Sequence, residues 1–316
     1  MSSLSAPHFH VEEAAYEWVE ARLWPNGPVC PRCKGTERIT KLGGKSTRIG
    51  VRFCNACRKP FTVKVGTVFE SSHIPLRLWL QAIALLCASK KGMSSNQLHR
   101  TLGITLKSAW FLSHRIREAM RGGGLAPLGG QGTVVEMDET YFGKPASPRE
   151  RKTPRRDPVT KGGRSGPGKK RAIVALVERG GGVRSFHVEN ADKATVNKIV
   201  GENISREALL HTDESRLYGD AKAMVAGHET VRHSAGEYVR GLVHTNTVEG
   251  VFSIFKRGMK GVYQHCGEKH LHRYLAEFDF RYNARVALGV NDAARADKAL
   301  RGVVGKRLTY RPTDGG

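Results

Sequence analysis

The sequence predicts an α/β protein: a mixed sheet with flanking helices, preceded by a metal-binding ribbon and a helical region. Three observations predict it. Two Cys-x-x-Cys pairs stand near the N-terminus, at Cys30/Cys33 and Cys54/Cys57. Apolar residues then recur at helical spacing between positions 76 and 120. Beyond a glycine-rich stretch, strand-like and helix-like patterns alternate. Charge narrows the partner: 52 Lys and Arg stand against 29 Asp and Glu, a net +23. An excess of that size points to a polyanion, most often nucleic acid. No apolar run is long enough to span a membrane, so no membrane partner is expected. No charged-then-apolar leader pattern opens the sequence, so the expected location is cytoplasmic and nucleoid-associated.

In chain order, Val11, Ala14, Ala15, Trp18, Val19 and Leu23 share one helical face, and Pro25, Asn26, Gly27 and Pro28 end that helix. The cysteine pairs follow, twenty residues apart, which matches a four-thiolate zinc site. Between them, residues 38 to 53 alternate around Gly43 and Gly44 as a hairpin would. Four thiolates leave no open position, so Zn2+ here is expected to be structural. Leu76, Leu78, Trp79, Ala82, Ile83, Leu85 and Leu86 form an apolar helix. Ser94 to Asn96 caps a short one, Gly103 to Thr105 turns the chain, and Leu106 to Met120 is a longer one. Helix, glycine turn, helix is the helix-turn-helix pattern. It places Lys107, Ser108 and His114 outward and Ala109, Leu112 and Ile116 inward, with Lys107 and Ser108 as candidate DNA contacts. An ordinary helical hairpin is the alternative.

Glycines 122 to 130 suggest a linker. Thr133 to Met137 reads as a strand ending in Asp138. Residues 144 to 171 are rich in Lys, Arg, Pro and Gly with no periodic apolar face, so a disordered basic loop is expected. Residues 172–177 and 183–188 flank three glycines as a hairpin. A helix over 191–204 precedes a strand, 208–212, that delivers Asp213, and residues 216–226 suggest a further helix. From Thr247, Val248, Val251, Phe252 and Phe255 mark an amphipathic helix carrying Glu249 and Lys256, two turns apart on one side. A last helix runs from His270 to Ala284, and the final thirty residues are basic and weakly patterned.

Strand with acid, hairpin, helix, strand with acid, helix with acid is the order of a ribonuclease-H-like sheet. It brings Asp138 and Asp213 to neighbouring strand ends. Three carboxylates brought together repel unless divalent cations compensate them. Two such ions about 4 Å apart suit in-line phosphoryl transfer, and hard oxygen donors favour Mg2+ or Mn2+. Glu139 and Glu214 follow the aspartates directly and face away on a strand. His211 and His244 read as structural, and Cys87 and Cys266 as buried thiols.

Four phrases resemble bacterial insertion-sequence transposases of the acidic-triad type with an N-terminal zinc ribbon. They are Glu136 to Gly143, His211 to Ser215, His244 to Arg257 and His270 to Asn283. The resemblance implies Asp138, Asp213 and Glu249 as the metal-binding triad, with Lys256 and Arg257 against the DNA backbone. Asn246, one turn before Glu249, is the alternative third ligand. A capping box between Asn246 and Glu249 is the structural alternative for both. The implied organisation is a helix and zinc ribbon over 1–66 and a helix-turn-helix region over 67–124. A catalytic domain over 131–285, with its basic insertion at 144–171, and a basic tail over 286–316 complete it. The implied activity is cleavage at the element's end followed by strand transfer into target DNA. The expected partner is double-stranded DNA, bound by a homo-oligomer. A DNA-binding regulator without activity, and a structure-specific nuclease on the same fold, are the competing readings.

Overall fold

A computed structural model describes residues 4–123, 125–143 and 170–309. The predicted basic loop thus lies outside the described residues, apart from Lys170 and Arg171. The chain divides into two compact units, residues 1–123 with 276–316, and residues 124–275.

The first unit opens with α1 (Glu12–Leu23). A three-stranded antiparallel ribbon follows, β1 (Ile39–Lys41), β2 (Arg52–Cys54) and β3 (Lys59–Phe61), in the order β1-β2-β3. Then come α2 (Leu76–Ala88), α3 (Ser95–Leu102) and α4 (Leu106–Met120). The apolar stripe read from the sequence makes the core: Val19, Leu76, Trp79, Ile83, Leu86, Leu98, Leu112 and Ile116 are buried together. The turn between α3 and α4 follows from its residues. Gly103 takes the left-handed conformation (φ 64°) that ends a helix, and the Thr105 hydroxyl accepts from the Ser108 amide (3.1 Å) to start the next. At the start of α2, the Glu12 carboxylate of α1 accepts from the amides of Leu76 (2.6 Å) and Arg77 (3.1 Å).

The second unit is built on a five-stranded sheet. Its elements are β4 (Val134–Phe142), β5 (Arg171–Glu178), β6 (Val183–Val188), α5 (Lys193–Asn203), β7 (Leu209–Asp213), β8 (Gly227–Val231), a small ribbon of β9 (Val239–Arg240) and β10 (Val243–His244), and α6 (Asn246–Gly258). The strand order is β6-β5-β4-β7-β8. β5 is antiparallel to both its neighbours, β4 and β6, while β7 lies parallel to β4 and β8 parallel to β7. This is the mixed, ribonuclease-H-like arrangement the element order predicts. One face carries Val135, Met137, Val174 and Leu176 against Val196 and Ile199 of α5. The other face receives α6, with Phe255 edge-on to Phe142 of β4 (5.4 Å). The segment 216–226, expected to be helical, instead makes two short 3-10 turns, Arg216–Tyr218 and Ala221–Ala223, interrupted at Gly219 and Asp220.

The division between units falls inside α7 (Leu271–Asn283). The predicted tail is corrected by α8 (Asp292–Arg301), which is no tail. Ala299, Leu300 and Val303 are fully buried in the first unit's core. Its inner face is largely alanine, which buries well but contributes little to an apolar pattern. His114, expected outward, is also corrected: it is buried, beside Trp110 (4.4 Å). α4 is enclosed nearly all round, so polar type does not mark an outer face there. Arg115 donates to the carbonyls of Val68 and Glu70 (2.8 Å each), and Arg117 to Glu277 (2.6 Å).

Candidate functional site

The four cysteines meet as their spacing predicts. Their sulfurs lie within 4.8 Å of one another, with Cys30 Sγ to Cys57 Sγ at 3.7 Å and Cys33 Sγ to Cys54 Sγ at 3.6 Å. A disulfide needs about 2 Å. Tetrahedral Zn–S bonds of about 2.3 Å put sulfurs about 3.8 Å apart. The donor set fits zinc. The ribbon's own core is small, Cys30, Cys54 and Phe61, so it has little else to fold around.

The acids are placed by strand register. β4 and β7 pair Val134 with Leu209 and Glu136 with His211. Continuing that register by two residues puts Asp138 level with Asp213 on the same face of the sheet, the face that receives α6. One expectation needs correction. β4 does not end at Asp138 but runs on to Phe142, because its antiparallel partner β5 is longer than its parallel partner β7. Asp138 therefore lies mid-strand, where pairing with β7 gives out.

Asp138 and Glu249 line one open cleft of about 800 Å³, together with Phe252, Ser253, Lys256 and Arg257. Burial pushes the Asp138 carboxyl up to about 8, helped by the charges of Glu139, Asp213 and Glu249. Its Oδ1 accepts from the Glu139 amide (2.8 Å). Asp213 Oδ1 accepts from the Ser215 amide (2.9 Å). Burial and the ammonium groups of Lys260 and Lys170 pull Lys256 below the ordinary lysine range, while Asp138 opposes them. Among the described residues, only the four thiols form a metal-ligating group of three or more within 4.8 Å, so the three carboxylates are more widely spread. Asp213 reaches the cleft through its charge and does not line it among the described residues. Hard oxygen donors around the raised Asp138 carboxyl are the donor type suited to a divalent hard cation.

Glu249 is half-exposed, accepting from the Thr245 hydroxyl (3.0 Å) with His233 Nε2 at 3.9 Å. The Asn246–Glu249 capping box is not what starts this helix. Thr245 occupies the cap position, Asn246 is the first, exposed helical residue, and the Thr247 and Val248 amides donate to Glu136 (2.8 and 3.0 Å). Glu139 lies on the sheet's other face, where the Tyr218 hydroxyl donates to it, and Glu214 accepts from the Ser234 amide (2.9 Å). Arg179 donates to both His211 Nδ1 (3.3 Å) and His244 Nδ1 (2.9 Å). Lys107 is exposed on the first turn of α4, and Ser108 is half-buried with its hydroxyl oxygen accepting from Thr105 (2.9 Å). Sequence reasoning missed Glu136. The available signal was its place two residues before Asp138 in a strand, hence on the same face.

Fold and site together describe a protein that joins a thiolate ribbon to an acid-bearing mixed sheet. Residues 127–283 match the family profile of the ISXO2-like transposase domain, and residues 11–60 that of the transposase zinc-ribbon domain. A protein of Halobacterium salinarum, described as an uncharacterized protein in transposable element ISH50, is 31% identical over 265 residues, 82% of this chain and 86% of that one. The chain belongs to the ISXO2-like family of insertion-sequence transposases. Among solved structures, the Mos1 strand transfer complex is 12% identical over 67% of this chain and 78% of its own, with a TM-score of 0.21. A pre-cleavage Mos1 transpososome is 10% identical over 64% and 76%, with a TM-score of 0.18. Scores that low do not bear on this chain's fold.

Proposed function

We propose that the chain cuts and joins DNA at the ends of its element, using Asp138, Asp213 and Glu249 as ligands for Mg2+ or Mn2+. The observation that carries this reading is the placement of two aspartates level on adjacent strands, faced by a helix that presents Glu249 and Lys256 to the same cleft. A divalent cation held by the three carboxylates would lower the cost of the attacking and leaving oxygen charges. Lys256 binds a non-bridging oxygen of the scissile phosphate, and Arg257 and Lys260 hold the flanking backbone in line. In cleavage, a water oxygen bonds to phosphorus and the P–O3′ bond breaks, leaving a 3′-hydroxyl. That hydroxyl attacks a target phosphodiester in the second step, releasing the target's own 3′-hydroxyl. Lys107 and Ser108 on α4 contact the element's end, and the net +23 supports retention on duplex DNA. Pairing two ends requires at least two protomers.

The test is strand transfer by purified protein with Mn2+ on a labelled duplex carrying the element's end. Wild type is run beside Asp213→Ala, Glu249→Ala and Asn246→Ala. Joined products from wild type, absent with Asp213→Ala and Glu249→Ala but retained with Asn246→Ala, support the reading. Loss with Asn246→Ala and retention with Glu249→Ala moves the third ligand to Asn246. End binding by wild type without any cleavage or joining rejects the enzymatic reading in favour of a regulator.

A further inference from the structure

We infer that Glu136 is a positioning residue for the cleft: its buried carboxylate fixes the register of α6 against β4 and thereby sets where Glu249 stands relative to Asp138. The inference rests on the reading of Glu249 as a metal ligand.

Glu136 is fully buried, yet both of its carboxylate oxygens are hydrogen-bonded. Oε2 accepts from the amides of Thr247 (2.8 Å) and Val248 (3.0 Å), the first free N–H groups of α6. Oε1 accepts from the Thr247 hydroxyl (2.8 Å) and from Arg179 Nε (2.6 Å). A helix is ordinarily capped by a residue of its own chain segment. Here Thr245 stands at the cap and its side chain does not take that role. The carboxylate comes instead from a strand 111 residues away in sequence. That choice has a geometric result. Glu136 and Asp138 are alternate residues of one strand and point to one face. Val248 and Glu249 are consecutive in the helix. The bond from the Val248 amide to Glu136 therefore ties the first acid's strand to the third acid's helix, two residues from Asp138 and one from Glu249.

Arg179 extends the tie. It also donates to the carbonyls of Leu242 (2.6 Å) and His244 (2.9 Å), so the chain entering α6 is anchored by the same group. Four donors converge on a carboxylate that water does not reach. Its negative charge also faces the positive end of the α6 dipole. An amide in its place keeps the volume, loses that charge and turns an NH2 group toward donors.

The experiment measures Mn2+ binding by the electron paramagnetic resonance of free Mn2+, on the full chain without DNA. The variants are Glu136→Gln, Thr247→Val, Glu249→Ala and the double variant Glu136→Gln/Glu249→Ala. Backbone amide exchange at residues 247 and 248 is followed in parallel. Partners that orient a ligand typically change metal affinity about 10–100-fold when removed. Glu136→Gln is expected to weaken Mn2+ binding about tenfold and Thr247→Val by less, both with faster exchange at 247 and 248. The double variant is expected to bind no worse than Glu249→Ala, since Glu136 acts through Glu249. Unchanged Mn2+ affinity in both Glu136→Gln and Thr247→Val overturns the inference, as does a double variant that sums the two losses. Should Glu136→Gln not fold, Thr247→Val alone decides: its loss must vanish in a Glu249→Ala background. If Glu249→Ala itself binds Mn2+ like wild type, the failure lies in the assignment of the third ligand, not in the tie.

Discussion

Asp138 and Lys256 carry opposite burdens of the same burial. Each is held in a cleft that disfavours its charge, and the charge of Asp138 partly offsets that burden on Lys256. The Asp138 carboxyl titrates near 8, well above its unfolded value near 4. The folded state therefore binds the proton more tightly than the unfolded state. That contributes stability in full below about pH 4 and loses it as pH rises toward 8. In chelator, Asp138→Asn is expected to match wild type in acid and to exceed it at pH 8 by about 2–5 kcal/mol. Equal denaturant midpoints for the two proteins at pH 8 would show that the cleft does not strain this group. For Lys256, removing one preorganised donor to a reacting phosphate costs about a hundredfold or more. Lys256→Ala should lower the single-turnover rate of end cleavage by that factor while leaving end binding nearly intact. That Asp138 and Asp213 stand on neighbouring strands was legible because each closes a strand-like apolar run, 133–137 and 208–212, although β4 continues past Asp138. For Glu136 the string gives the face, by its place two residues before Asp138, but not the partner amides, the first of which lies 111 residues on.

Elements differ in what holds them. The ribbon rests on four sulfurs and a core of three buried residues, two of which, Cys30 and Cys54, are themselves among the sulfur donors. Removing its metal with a chelator should unfold residues 30–61 while α2 to α4 keep their helical signal. Cobalt in place of zinc should give intense tetrahedral thiolate bands, lost in Cys54→Ser. α8 is the opposite case, held by the burial of Ala299 and Leu300 and by Arg295, which donates to the carbonyls of Ala284 (2.6 Å) and Cys87 (2.7 Å). Leu300→Ala should cost about 2–4 kcal/mol in urea unfolding; a change below about 0.5 kcal/mol would return this segment to the status of a solvated tail. α1 and α2 repeat the device seen at α6, a glutamate from one element capping another. Covalent spacing made the ribbon readable, because two cysteine pairs specify a geometry by themselves. The glycines between 172–177 and 183–188 made β5 and β6 readable as a hairpin, while the extent of β4 was set by a partner strand the local pattern does not mention. Alanine spacing hid α8, since its burial is decided by the surfaces it meets.

At the scale of the whole chain, charge and connectivity dominate. A net +23 predicts end binding that falls about a thousandfold or more between 50 and 200 mM salt. A flat salt response would remove the phosphate backbone as the main source of affinity. Connectivity has a consequence of its own. The first unit is begun by residues 1–123 and finished only by residues 276–316, with the second unit encoded between them. On the ribosome, α2 and α4 must wait for α8 while the whole sheet unit is synthesised. At roughly 5–20 residues per second, the wait is on the order of ten seconds or more. For that interval the apolar faces of α2 and α4 that α8 will cover stand open to chaperones. A reading frame cut short after residue 275 yields a complete acid-bearing sheet attached to a helical unit that can never close.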